Sequence, residues 1–86
     1  MIRTLSLSRY PTLDVHGETR DTLYSILKVF IQDNVKLKEE LVVVIHGKSS
    51  SILKKEVHYH LGKMKEVEEF HLDYWNNGLT IVKLKI

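Results

Sequence analysis

The 86-residue chain is expected to fold as one α/β domain, an α+β sandwich of two to three layers with element order βαβαββ. Two helices would pack on a four-stranded mixed sheet. Three observations carry that expectation. Leu41-Val42-Val43-Val44-Ile45 is a β-branched apolar run without polar alternation, the pattern of a strand buried on both faces. Two segments, around Leu23 and around Leu53, space their apolar residues as helices do. Asn77-Gly78, between two alternating segments, is a strong hairpin signal.

The elements follow in order. Pro11 separates a short N-terminal arm, residues 1–11, from a domain spanning 12–86. Thr12 to His16 alternates Leu13 and Val15 with polar neighbours and reads as a short strand that Gly17 breaks. Leu23, Ile26, Leu27, Phe30 and Ile31 form one helical stripe, with Thr19 as N-cap and Asp21 at the positive end of the helix dipole. Asp33-Asn34 is the expected stop. After the central strand, His46-Gly47-Lys48 and three serines make a loop and a helix start. Leu53, Val57, Leu61 and Met64 mark the second helix. Phe70, Leu72 and Tyr74 alternate with His71 and Asp73, and Val82, Leu84 and Ile86 alternate with Lys83 and Lys85, giving the last two strands.

Composition narrows the function classes. There is no cysteine, which excludes disulfides and thiolate metal sites. The longest apolar run is Leu41 to Ile45, far short of the ~20 residues that span a bilayer. Residues 1–11 lack the apolar core of a signal peptide, so the cytoplasm is expected, with no membrane partner, and the chain is expected to be a monomer. Net charge is only +2, yet Lys48, Lys54, Lys55, Lys63 and Lys65 face a single acid, Glu56, between His46 and Lys65. Such a stretch is either a solvated lysine face or the electrostatic footprint of phosphate binding.

The topology itself points to a site. Right-handed βα crossovers make successive strands parallel, so their carboxyl ends share one sheet edge, where open α/β sheets bind ligands. Asp14 and His16 end the first strand, and His46, Gly47 and Lys48 follow the second. Residues thirty apart in sequence should therefore converge.

Leu13-Asp14-Val15-His16-Gly17 is similar to the LDxHG motif that opens small MutS-related (Smr) domains. Val44-Ile45-His46-Gly47-Lys48, followed by Ser51-Ile52-Leu53-Lys54, resembles their HGxG turn and helix start. Val67-Glu68-Glu69-Phe70 and Asn77 to Leu84 resemble their closing hairpin. The resemblance covers Thr12 to Leu84 and implies a βαβαββ fold like the C-terminal domain of a bacterial translation initiation factor. It implies nucleic-acid binding and, as in several members, an endonuclease that nicks DNA or cleaves mRNA on stalled ribosomes. Carried onto this chain, the functional residues are Asp14, His16, His46 and Gly47, with Lys48 in the variable position of the second motif. Two departures stand out. Ser49 replaces the second glycine of HGxG, and the last turn is reduced to Asn76-Asn77-Gly78. A lost glycine geometry would favour a non-catalytic RNA- or ribosome-binding adaptor.

RNA is the favoured substrate, because it carries its own nucleophile in the 2′-OH. Cleavage then needs a general base, a general acid and a cation. His16 and His46 suit the first two roles, with Asp14 orienting an imidazole and Lys48 stabilising charge. Strand-end histidines also serve simply as hydrogen-bonding groups, and that alternative stays open. Ser49, Ser50 and Ser51 lie where the N–H groups of a helix N-terminus bind anions, or where one serine caps the helix. Lys54, Lys55 and His58 are expected on the outer side of the second helix, facing backbone phosphate. His60 is expected as a packed margin residue. Tyr10, Tyr74 and Trp75 are expected in core or hairpin packing, with base stacking as the alternative. No cofactor is required. A divalent metal held by Asp14, His16 and His46 is the lesser alternative.

Overall fold

A computed structural model describes residues 9–48 and 51–86. Its elements are β1 (Thr12–Asp14), α1 (Arg20–Lys36), β2 (Leu41–Ile45), α2 (Ser51–Lys63), β3 (Val67–Leu72) and β4 (Leu79–Leu84). Most of the N-terminal arm, residues 1–8, lies outside the described residues, as do Ser49 and Ser50.

Two threonines fix the start of α1. Thr19 is extended (φ −88°, ψ 166°), and its side-chain oxygen accepts the Thr22 N–H while the Thr22 hydroxyl oxygen accepts the Thr19 N–H. This reciprocal cap satisfies donors that the helix leaves open. The helix then runs past the expected stop at Asp33-Asn34. Asn34 is buried and its side-chain amide donates to the Phe30 carbonyl, so it joins the last turn instead of ending it. Termination comes at Lys38, whose φ is +63°. Its N–H donates to the Val35 carbonyl and the Glu39 N–H donates to the Asn34 carbonyl, the two bonds of a Schellman motif.

Strand order in the sheet is β1-β2-β4-β3. β1 pairs with β2 in parallel, Leu13 opposite Val44 and Asp14 opposite Ile45. β4 lies antiparallel to both β2 and β3, with Val82 opposite Val42 and Phe70. Strands β1, β2 and β3 therefore point one way, and their carboxyl ends share an edge, as expected. The registers place Leu13, Val42, Val44, Val82 and Leu84 on one face. There they pack with Leu23, Leu27 and Ile31 of α1 and Leu53, Val57 and Leu61 of α2 in a single core. Both helices cover that face, so the sandwich has two layers. Each fully buried aliphatic side chain contributes ~1.5–3 kcal/mol relative to exposure. No helix among the described residues is long and apolar enough to cross a membrane.

Three strand boundaries also differ from the sequence expectation. β1 stops at Asp14, although the Val15 N–H still donates to the Ile45 carbonyl at 2.8 Å. β3 stops at Leu72, leaving Tyr74 outside it, and Ile86 lies beyond the end of β4 and is exposed. Asn77-Gly78 does not form a two-residue hairpin. A six-residue loop, 73–78, joins β3 to β4, and Gly78 lacks the positive φ that a tight Asn-Gly turn needs.

Candidate nucleic-acid interface

Where β1 ends, the chain turns back on a carboxylate. Asp14 Oδ1 accepts the backbone N–H of His16 at 3.1 Å and stands 2.7 Å from the His16 ring Nδ1. That ring bond lowers the Asp14 pKa below its ordinary 3.8 and raises the His16 pKa above 6.5. Both side chains are open to solvent, His16 by 70%. With Nδ1 held by the carboxylate, Nε2 is left facing outward.

Parallel pairing of β1 with β2 brings the second motif alongside. Gly47 has φ +90°, a conformation that L side chains rarely adopt. A Cβ built there would lie 3.6 Å from the His16 Cβ, so the two motif turns touch. The N–H groups of His46 and Gly47 both donate to the Gly78 carbonyl, at 3.0 and 2.9 Å. Gly78 in turn lies under Lys48, and a Cβ on it would approach the Lys48 Cγ to 2.9 Å and the Lys48 N to 3.2 Å. The β3–β4 loop is thus part of the same edge, and Lys48 projects from it exposed.

His46 departs from the expectation. It continues the inward alternation of Val42 and Val44 and has no solvent exposure. Its Nε2 lies 2.9 Å from the Thr80 Oγ1, and His58 Nε2 lies 2.7 Å from the same hydroxyl. His46 Nδ1 lies 3.2 Å from the Gly47 carbonyl. One assignment satisfies all three contacts with neutral rings. His46 Nδ1–H donates to Gly47, the Thr80 hydroxyl donates to His46 Nε2, and His58 Nε2–H donates to Thr80. Burial lowers the pKa of both histidines, and the neighbouring Lys54 charge adds to it. His16 and His46 therefore do not meet as an exposed pair.

His58 also differs from its expected place. It turns towards the sheet, 5.0 Å from the Phe70 ring, and not outward with the lysines. Lys54 is half-buried, while Lys55 and Ser51 are exposed. His60 packs at the helix margin as expected, 4.9 Å from the Tyr24 ring and 3.4 Å from Glu56. Tyr74 and Trp75 pack in neither core nor hairpin, being 82% and 70% exposed. Among the described residues, no three His, Cys, Asp or Glu side chains are grouped to hold a metal ion.

Two contributors escaped the sequence reading. Thr80 sits on the core face with Val82 and Leu84, the one polar residue in that alternation, which was its signal. Asp73 is buried, and its Oδ2 accepts the N–H groups of Trp75 (3.1 Å) and Asn76 (2.9 Å), shaping the loop. Strand alternation alone does not reveal that role.

Comparison with known proteins agrees with this architecture. The sequence model of the Smr domain matches residues 13–85. Endonuclease MutS2 of Geobacillus sp. (strain WCH70) is 36% identical over 76 residues, 85% of this chain but 10% of that protein. The chain spans about 10% of the length of the curated relatives it matches. The crystal structure of the Smr domain of Thermus thermophilus MutS2 superposes with a TM-score of 0.84 at 22% identity, covering 88% of this chain and 99% of that one. YdaL, a stand-alone small MutS-related protein from Escherichia coli, gives 0.83 at 21% identity, covering 90% and 68%.

Proposed function

The chain belongs to the Smr domain family, and on that premise we propose that it binds nucleic acid and cleaves RNA through Asp14, His16 and Lys48. The observation that carries this reading is the Asp14–His16 pair, 2.7 Å apart and exposed at the sheet edge. In the neutral ring with Nδ1–H donated to Asp14, Nε2 is an outward-facing acceptor. It takes the 2′-OH proton as that oxygen attacks the adjacent phosphorus. Asp14 stabilises the imidazolium without taking the proton itself. Lys48 offsets charge on the non-bridging oxygens. The imidazolium then returns its proton to the departing 5′-oxygen, leaving a 2′,3′-cyclic phosphate and a 5′-hydroxyl. His46 acts by position, holding the Gly47 carbonyl and so the turn that carries Lys48. Gly47, Lys54 and Lys55 are proposed to line the phosphate path, with Ser51 at the adjoining helix start.

One observation favours a second reading. The site presents a single exposed imidazole, because His46 is fully buried, and that suits an adaptor that binds RNA without cutting it. Labelled single-stranded RNA and supercoiled DNA, each with and without chelator, separate the readings. The proposal expects chelator-insensitive RNA cleavage with cyclic-phosphate ends. It also expects affinity that falls with salt, with a log–log slope of about −0.7 per phosphate contact. Binding without cleavage selects the adaptor, and chelator-sensitive DNA nicking overturns the RNA reading.

A further inference from the structure

The β3–β4 loop carries two large aromatic side chains that the fold does not use. Tyr74 and Trp75 are 82% and 70% exposed, and their rings meet edge-to-face, with centroids 5.0 Å apart and planes at 85°. The loop beneath them is braced. The buried Asp73 carboxylate accepts the N–H groups of Trp75 and Asn76, and the Asn76 side-chain oxygen accepts the Gly78 N–H at 2.9 Å. The aromatic pair is therefore held out on an ordered support, which reduces the entropy lost when a ligand settles on it.

Its position supplies the second argument. Gly78 binds the His46-Gly47 turn through its carbonyl and lies under Lys48. Three residues of chain reach at most about 10 Å, so the Trp75 Cα stands within about that distance of the Gly78 Cα, which underlies Lys48. Aromatic faces and a cation are thus adjacent on one edge, next to the exposed His16. A protein docking surface would need apolar area continuing beyond the pair, whereas the exposed Lys48 sets a cation against the loop that carries this one. A ligand whose phosphates alternate with flat rings matches both features. In a duplex the ring faces are covered by stacking, so only an unpaired nucleotide offers one.

We propose that Trp75, supported by Tyr74, is a stacking platform for an unpaired nucleobase, and that it directs this domain to single-stranded RNA segments. The inference rests on the nucleic-acid reading above and names the form of its substrate. One stacked base accounts for about 1–3 kcal/mol of binding by alanine substitution, about 5- to 150-fold in affinity.

Trp75 is the only tryptophan of the chain, so emission excited at wavelengths too long for the four tyrosines to absorb reports this position alone. The test titrates the full chain with a mixed-sequence single-stranded RNA, its duplex, and an abasic strand of equal phosphate number. The single strand is expected to bind most tightly and to quench the emission, and the other two to leave it nearly unchanged at saturation. Trp75→Ala is expected to lower single-strand affinity about 5- to 150-fold and remove the preference over duplex, with Trp75→Phe retaining most of it. A thermal melt confirms that each variant folds. Equal affinity for all three ligands, or no loss in Trp75→Ala, overturns the platform. If Lys48→Gln weakens RNA binding and Trp75→Ala does not, the platform falls and the interface stands. If no oligonucleotide binds, both fall. Self-association abolished by Trp75→Ala, with RNA affinity unchanged, also overturns the platform.

Discussion

His58 reaches His46 through one hydroxyl, that of Thr80, at 2.7 and 2.9 Å. A helix, a strand and the turn that carries Lys48 are thereby joined in the interior by neutral hydrogen bonds. Thr80→Val keeps the shape and removes the hydroxyl, leaving the buried His46 Nε2 and the part-buried His58 Nε2 without their partner. The expected cost is roughly 1–3 kcal/mol, read as a lower urea midpoint, with Thr80→Ser restoring most of it. An unchanged midpoint in Thr80→Val would show that the relay adds nothing to stability.

The same two rings set a pH dependence. Burial lowers both pKa values below 6.5, so between the folded values and 6.5 the unfolded chain binds more protons. Stability from this pair is full above 6.5 and is lost as pH falls through the folded values. His16 acts oppositely, with a raised pKa whose contribution is present below 6.5 and lost as pH rises, but its exposure weakens the effect. The urea midpoint is therefore expected to fall between about pH 7.5 and about pH 5.5, and to fall less in His58→Gln. A higher midpoint at the acid end would contradict the neutral relay.

Gly78 tests whether the loops at the sheet edge act as one unit. A methyl group there meets the Lys48 Cγ at 2.9 Å and its backbone N at 3.2 Å, so the Lys48 side chain must shift and its backbone must give slightly. A displacement of 1 Å at a catalytic group can cost ~10²-fold in rate. Gly78→Ala is expected to slow RNA cleavage by more than it lowers the melting temperature would suggest. Loss of stability alone, with the rate per folded molecule intact, would place Lys48 outside the chemistry.

Much of this fold is legible in the residues, and the misses have local causes. The run Leu41 to Ile45 needs no context to be a buried strand, and Thr19 caps α1 as its side chain allows. The end of α1 is hidden in the sequence because the left-handed residue that closes it is Lys38, where glycine would announce the stop. His46 lay in plain alternation with Val42 and Val44, so its inward direction was readable. Its place at the strand end is equally that of an edge residue, and alternation alone decides between the two. His58 lies one position beyond Val57, off the apolar stripe, and only packing on β3 and β4 turns it inward. Tyr74 continues the alternation of β3, which carries no stop of its own, and the stop is made by the Asp73 carboxylate.

Lys38 offers a stability test independent of function. A non-glycine residue in the left-handed region costs about 1–2 kcal/mol, and this one has φ +63°. Lys38→Gly is expected to raise stability by up to about 1 kcal/mol, seen as a higher urea midpoint with RNA binding unchanged. A lower midpoint would mean that the lysine side chain contributes more than its backbone costs.

Single-turnover cleavage of one labelled RNA by wild type and His16→Ala, with affinity measured on the same RNA, tests the Asp14–His16 site most directly. The rate is expected to fall ~10²–10⁴-fold in the variant while affinity stays near wild type. Wild-type cleavage that survives His16→Ala, or wild-type RNA binding with no cleavage at all, would contradict an endonuclease built on this pair.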